Sequence, residues 1–310
     1  ELGFSGKGDI EAFGVAEFNA KCRESVLRHV DAFEAMTERM GYWVDTDNPY
    51  RTMDSSYVES VWWALKQIHD KGLLVEDYRV APYCPRCGTG LSDHELAQGY
   101  ETVTDPSVYV RFPLTSGEYA GASLLVWTTT PWTLVSNTAV AAHPDVDYVV
   151  ASDGNERLVV AEPLFEEVLG EGWTVEATVP GSAMERWTYQ RPFELVDFPA
   201  PAHYVVLGEY VTTEDGTGLV HQSPAFGEDD MLVCKAYGLP VVNPVRADGH
   251  FEDSVPLVGG QFFKHADADH ADDQYRPCSG SFIEARENGH AIAPGSSDQN
   301  GSTPSQAVDQ

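Results

Sequence analysis

At 310 residues the chain is long enough for one large or two ordinary domains, each with its own buried core. Hydrophobic residues make up 42% of it, and no apolar run nears the roughly 20 residues that cross a bilayer, so a soluble protein with no membrane partner is expected. Its 49 acidic against 19 basic residues give a formal charge of -30, which excludes a broad basic nucleic-acid surface and leaves only a local basic patch for any RNA.

The first residues, ELGFSGKGDIEAFG, show no initiator Met and no basic stretch followed by an apolar segment, so position 1 is expected to be an interior point of a longer chain. Over residues 15–40, Phe18, Cys22, Val26, Val30, Phe33, Met36 and Met40 recur at threes and fours, which predicts one amphipathic helix ending at Gly41. Ser56 to Glu59 has capping-box spacing, and Val58, Val61, Trp62, Leu65 and Ile68 form the stripe of a second helix that Gly72 stops.

Cys84-Pro85-Arg86-Cys87-Gly88 has the spacing of a zinc knuckle, in which two thiolates supply half of a tetrahedral site. A redox CxxC is the competing reading, and metal is preferred because Pro and Gly build a turn without a strand-to-helix redox context. Five cysteines, with only this pair close together, are too few for a disulfide framework and point to a reducing cytoplasm.

From about residue 105 the pattern changes to short β-rich runs separated by turn residues: SVYVRF, ASLLVWTTT, DYVVAS, RLVVAE, HYVVLGEYVTT and GTGLVHQS. A helix, DDMLVCKAYG, should follow Gly227, with Glu228, Asp229 and Asp230 in its first turn. After about residue 267 the pattern fades, and AIAPGSSDQNGSTPSQAVDQ holds too little apolar surface to offset ordering entropy, so 266–310 reads as an atypical, disordered tail.

Two segments carry the chemistry. Trp127-Thr128-Thr129-Thr130-Pro131-Trp132-Thr133-Leu134, with Asn137 behind it, gathers hydroxyls at a predicted strand end. Read blandly, these are β-branched strand residues with a Pro-directed exit. Gly216 to Asp230 reads as strand, tight loop and helix start, bringing His221 and a carboxylate into the same β-rich region. A lone His is more often structural, and first-turn carboxylates ordinarily complement the helix dipole. The combination of hydroxyls, imidazole and carboxylate points to a site.

Together these segments resemble the editing domain of the isoleucyl-tRNA synthetases, a class I family. WTTTPWTL is similar to that family's threonine-rich peptide, where valyl and leucyl relatives carry Arg at the position of Thr130. GTGLVH with Asp230 nine residues after His221 is similar to its second editing motif. DSSYVESVWWALKQIHDKGLL and YCPRCGTGLSDHELAQGY extend the resemblance over about residues 1–267.

The resemblance implies an α/β plus β-rich fold: an incomplete Rossmann-like nucleotide-binding portion at 1–104 and an inserted, β-barrel-like editing domain at 105–265. It implies that Asp230 binds a substrate ammonium and that His221 helps exclude a larger side chain. Thr128, Thr129 and Thr130, with Trp127 and Asn137 beside them, would hold the terminal adenosine and a water. The implied partners are the acceptor end of an isoleucine tRNA and its valine and isoleucine esters. ATP and magnesium belong to the parent enzyme only, because neither HIGH nor KMSKS occurs here. Zinc would need a second Cys pair beyond the editing domain, and only the isolated Cys22, Cys234 and Cys278 remain. Two alternatives stay open: a non-catalytic fragment that binds the acceptor end, and a valyl- or leucyl-type editing domain.

Overall fold

The computed structural model describes residues 2–98 and 107–266, and the backbone of 283–286. The chain divides into two compact units, Glu1–Tyr78 and Arg79–Gln310, so the CxxC turn goes with the second unit, upstream of the boundary expected at 104.

The described part of the first unit holds four helices and no strand: α1 (Lys7–Phe13), α2 (Val15–Val26), α3 (Val30–Arg39) and α4 (Ser55–Asp70). The single helix expected over 15–40 is broken at Leu27–His29. Ser25, Val26, His29 and Val30 are all weak helix formers, and no buried face holds the two halves in line.

Both expected glycine stops are present. Gly41 (φ 76°) donates to Glu38 while Tyr42 donates to Thr37, and Gly72 (φ 71°) donates to His69 while Leu73 donates to Ile68. Each is a Schellman closure, which only a residue at ease with positive φ completes without strain. Helix α4 starts two residues earlier than the capping box placed it, after Asp54, and no side chain caps it. None of the four helices contains a buried residue; Trp62 and Trp63 are 67% and 66% exposed.

The second unit opens with a hairpin, β1 (Tyr83–Cys84) and β2 (Thr89–Gly90), followed by α5 (Asp93–Gln98). Its main body runs β3 (Ser107–Pro113), β4 (Ser123–Thr128), β5 (Ala139–Ala142), β6 (Asp147–Ser152), β7 (Arg157–Ala161), α6 (Phe165–Leu169), β8 (Thr174–Pro180), β9 (Val205–Leu207), β10 (Leu219–Gln222) and α7 (Glu228–Ala236). A further strand, β11 (Ile283–Arg286), pairs antiparallel with β3 inside the segment read as a patternless tail. The rest of that segment, 267–282 and 287–310, lies outside the described residues.

Besides the β1–β2 hairpin, the described strands form two mixed sheets, ordered β11-β3-β4-β7-β6-β8 and β10-β5-β9, with no closed barrel among the described residues. Strand β8 ends one sheet with a largely exposed run, Thr174–Pro180, an open edge among the described residues. Pairs β4–β7 and β5–β9 are parallel and the others antiparallel.

Alternation along the strands explains the layering. Val108, Val110 and Phe112 of β3 join Leu124 and Val126 of β4 in a core shared with Val140, Val205 and Leu219 of the smaller sheet. The alternate residues Tyr109, Leu125 and Leu158 face the opposite way, toward Phe165 and Leu169 of α6. On the far side of the small sheet, Ala139, Ala141 and Val206 meet Cys234 of α7. Two hydrogen bonds, one backbone to backbone and one side chain to backbone, tie the sheets: Ala161 N–H donates to Thr217 O at 2.9 Å and the Tyr148 hydroxyl donates to Gly218 O at 2.6 Å. Gly218 (φ 71°) lies directly against Ala161, leaving no room for a side chain. Among the described residues, no helix is long and apolar enough to cross a membrane.

Candidate functional site

Strand β4 ends at Thr128, and Pro131 starts a short 3-10 turn through Ser136 that returns the chain to β5. This turn meets β10 because Thr138 N–H donates to Gln222 O at 2.8 Å and His221 pairs with Val140. The two motifs, nearly ninety residues apart, are therefore held side by side by one strand pair.

A continuous hydrogen-bond network joins them. Asn137 Nδ2 donates to Ala139 O at 3.0 Å, and because a carbonyl only accepts, this bond fixes the orientation of the amide. Its oxygen then accepts from the Tyr189 hydroxyl at 2.7 Å, and its second N–H points at His221 Nδ1, 2.9 Å away. With Nδ1 accepting, the ring proton sits on Nε2 and is donated to Thr133 Oγ1 at 2.7 Å. Thr133 in turn donates to Thr130 O at 2.8 Å. Thr130 Oγ1 lies 3.4 Å from Thr133 Oγ1 and 3.3 Å from Thr128 Oγ1, and Thr130 N–H donates to Thr128 Oγ1 at 3.2 Å.

A second branch reaches Asp230. Ser136 Oγ lies 2.8 Å from Ser223 Oγ, and Ser223 N–H donates to Asp230 Oδ2 at 2.7 Å. Asp230 is the third residue of α7 and folds back over Gly227, where a side chain would collide with its carboxyl group. Burial pushes the Asp230 carboxyl up to about 6, with Asp229 adding to the rise and the Ser223 N–H opposing it. Burial also drives His221 down to about 3, so the ring is neutral at physiological pH, in keeping with a ring that accepts at Nδ1.

The structure thus brings Thr128, Thr130, Asn137, His221 and Asp230 into one connected cluster. Thr129 stands beside it, half-buried, with no hydrogen bond from its side chain among the described residues. Trp127 is not part of the cluster. As the neighbour of Thr128 on an alternating strand it faces the other side of the sheet, packing beside Tyr109 and Leu125 and closely covering Gly216. Asn137 and His221 are 1% and 6% exposed, so both act from within the wall of the site.

Sequence reasoning did not single out Thr133, Ser136, Ser223 and Tyr189. Thr133 and Ser223 lie inside the quoted motifs and Ser136 directly before Asn137, and all three carry ordinary hydroxyls. Tyr189 is 52 residues from its partner in a segment without periodicity, and only the tertiary structure shows it.

At the CxxC turn, Cys84 is buried and Cys87 exposed. Cys87 N–H donates to Cys84 Sγ at 3.4 Å and Gly88 N–H to Cys84 O at 2.8 Å, the tight turn a knuckle needs. That N–H also lowers the Cys84 thiol while Cys84 raises that of Cys87. Two thiols fit half of a tetrahedral zinc site. Among the described residues no group of three or more His, Cys, Asp or Glu is placed to hold a metal; His94 Nε2 pairs with Gln98 at 2.8 Å, and Cys278 lies outside the described residues. Zinc is therefore expected to bind weakly or substoichiometrically. Metal analysis after dialysis checks this, and one tightly held zinc per chain would show that other ligands complete the site.

A family described as tRNA synthetases class I (I, L, M and V) matches residues 1–274. The chain is 78% identical over 269 residues to the isoleucine–tRNA ligase of Streptomyces coelicolor, 77% over 270 residues to that of Thermobifida fusca and 48% over 269 residues to that of Thermus thermophilus. Each match covers 86% of this chain but only 25–26% of the relative, so the chain spans about a quarter of the length of these ligases. Among solved structures, GlLeuRS-CP1 has a TM-score of 0.41 at 17% identity, covering 53% of this chain and 93% of that one. The P. knowlesi cytosolic leucyl-tRNA synthetase editing domain has a TM-score of 0.34 at 11% identity, covering 46% and 70%. Likeness of that degree carries no argument. By the family match over residues 1–274, the chain belongs to the class I tRNA synthetases.

Proposed function

We propose that this chain is the editing portion of an isoleucine–tRNA ligase and that its second unit hydrolyses valine esters of isoleucine tRNA. The observation that carries the reading is the continuous network from Thr128 and Thr130 through Thr133 to His221 and Asn137, with Asp230 joined to it through Ser136 and Ser223. The relatives support the isoleucine assignment. In a longer parent, ATP and magnesium would serve amino-acid activation, which these residues do not perform without HIGH and KMSKS.

Isoleucine and valine differ by one methylene, worth about 1–3 kcal/mol in a hydrophobic pocket, a general figure for which isoleucyl synthetases are themselves the standard case. A second, hydrolytic site that admits only the smaller ester supplies the missing discrimination. Asp230 offers the carboxylate for the free α-ammonium. His221 is neutral and engaged at both nitrogens, so it is not a general base; it holds Thr133 and thereby the pocket wall. The hydroxyls of Thr128, Thr129 and Thr130 orient the terminal adenosine and a water toward the ester carbonyl.

Deacylation at low salt and high enzyme concentration tests this reading. Valyl-tRNA for isoleucine is expected to be hydrolysed at least tenfold faster than isoleucyl-tRNA, in line with the methylene figure of about 1–3 kcal/mol. Equal rates on both esters, or none on either in a folded protein, would defeat the proposal.

A further inference from the structure

On β10, Gln222 lies two residues beyond Val220 and so faces the same way, toward the layer of α7. Its side chain is fully buried, and its Nε2 donates to Val220 O and His221 O, both at 3.2 Å. Because a carbonyl only accepts, these two bonds fix the amide: both N–H groups are spent on the backbone, and the oxygen, Oε1, is left buried with no hydrogen-bond partner. Tyr210 packs in the same layer, in the cluster that includes Cys234 of α7, and its hydroxyl is likewise buried with no hydrogen-bond partner. That hydroxyl approaches the Gln222 amide without reaching hydrogen-bond geometry.

Asp230 belongs to this group. It precedes Cys234 by four residues on α7, so the two share a helix face, and its carboxyl accepts from the N–H of Ser223, the residue after Gln222. Burial lifts the Tyr210 phenol well above its ordinary value, and the nearby Asp230 carboxyl lifts it further. Unlike the two oxygens, Asp230 is partly exposed, which gives the group an opening toward solvent.

Buried oxygens in folded proteins are rarely left unpaired, and two of them beside one carboxyl form an acceptor set for a donor with several N–H groups. An ammonium has three such donors that diverge from one nitrogen, more than a single carboxylate can meet. We propose that the α-ammonium of the substrate ester is held by three side chains, with the Gln222 amide oxygen and the Tyr210 hydroxyl oxygen accepting the N–H groups that Asp230 leaves over. This assignment rests on the proposed ester-hydrolysing function, which supplies the ammonium. It makes a free amine a condition of binding: an N-acylated ester offers one N–H in place of three and leaves buried oxygens unpaired.

The probe is adenosine carrying valine through an amide in place of the ester, which the editing reaction cannot release, together with its N-acetyl form. Both are titrated calorimetrically into the full chain. The unaltered chain should bind the free amine at least about thirtyfold more tightly than the N-acetyl form. Tyr210→Phe and Gln222→Met should each cut that preference about tenfold, as expected for one hydrogen bond to a charged donor. Thermal melting separates binding from structure. Tyr210→Phe removes a buried hydroxyl that has no partner, so it should melt at the same temperature or higher, whereas a structural tyrosine would melt lower. Gln222→Met gives up two bonds to the backbone and should melt lower, and circular dichroism confirms that it is folded at the titration temperature.

An unaltered chain that binds both forms alike, or a preference unchanged in either folded variant, would overturn the proposal. So would a Tyr210→Phe protein that melts lower and loses both forms together. The amide carries no ester, so the two readings fail separately. An unchanged preference with valyl-tRNA hydrolysis intact removes Gln222 and Tyr210 alone. A preference that both variants cut, in a folded chain that hydrolyses no valyl-tRNA, supports the ammonium site and overturns the hydrolytic function.

Discussion

Replacing Asp230 with Ala or Asn is expected to lower kcat/KM for valyl-tRNA hydrolysis by roughly thirtyfold or more, from about 2–5 kcal/mol of lost recognition. A free α-ammonium entering a partly desolvated pocket gives up hydration that only a charged or strongly accepting partner replaces. The two variants separate recognition from folding. Ala leaves the Ser223 N–H without its acceptor, whereas Asn keeps an oxygen there while removing the charge.

The pH profile supplies an independent check. Burial raises the Asp230 carboxyl from its ordinary 3.8 to about 6, so the group is charged and able to pair with an ammonium only above that range. Hydrolysis by the unaltered protein should therefore rise with pH through about 6 and level off above it, and the Asn variant should lose that inflection. Stability runs the other way. The folded state holds this proton more tightly than the unfolded chain, so the contribution of Asp230 is most favourable below 3.8 and is lost as pH rises from there through about 6. Full hydrolysis by a folded Asp230→Asn protein would remove Asp230 from the site.

The second large effect is expected at Asn137, and on stability. Its amide makes three hydrogen bonds, with Tyr189, His221 and Ala139, which use both N–H groups and the oxygen. Asn137→Ala strands the Tyr189 hydroxyl and the His221 ring nitrogen in a fully buried setting. At about 1–3 kcal/mol for each orphaned group, the loss should come to about 2–6 kcal/mol. Hydrogen exchange at the β5 and β10 amides measures it. Tyr189→Phe should cost less, about 1–2 kcal/mol, because it orphans only the amide oxygen. An Asn137→Ala protein with protection like that of the unaltered chain would show that the network adds nothing to stability.

What could be read in advance follows from where the information lies. DYVVAS is a short apolar, β-prone run between polar ends and forms β6 with the same bounds, and the Schellman stops at Gly41 and Gly72 are local backbone chemistry. Strand β5 was invisible because AVAA offers almost no β preference; it exists because β9 and β10 flank it. HYVVLGEYVTT reads as one β-rich run, yet only Val205–Leu207 forms a strand, with Tyr204 bridging to Thr188 and the chain turning away at Gly208. Thr128, Thr130, His221 and Asp230 announced themselves as unusual groups at turn-like positions. Tyr189 and the inward placement of Asn137 did not, since each is defined by a partner far away in the chain. Trp127 is the converse case: it adjoins the threonines in sequence, and the two-residue period of a strand sends it to the other face.

The pairing of His221 with Val140 sets a rule for which changes of length this site tolerates. Leu219 faces the core between the sheets while Val220 faces the layer of α7, so His221 owes its direction to its even distance from Leu219. Losing one residue from β10 while keeping its pairing with β5 would bring Val220 or Gln222 to the Thr133 position and turn the imidazole toward α7. Gly218, pressed against Ala161, gives no slack on the near side to absorb such a slip. Substitutions along β10 can therefore be graded by size and polarity, but a single-residue insertion or deletion there should be all-or-none.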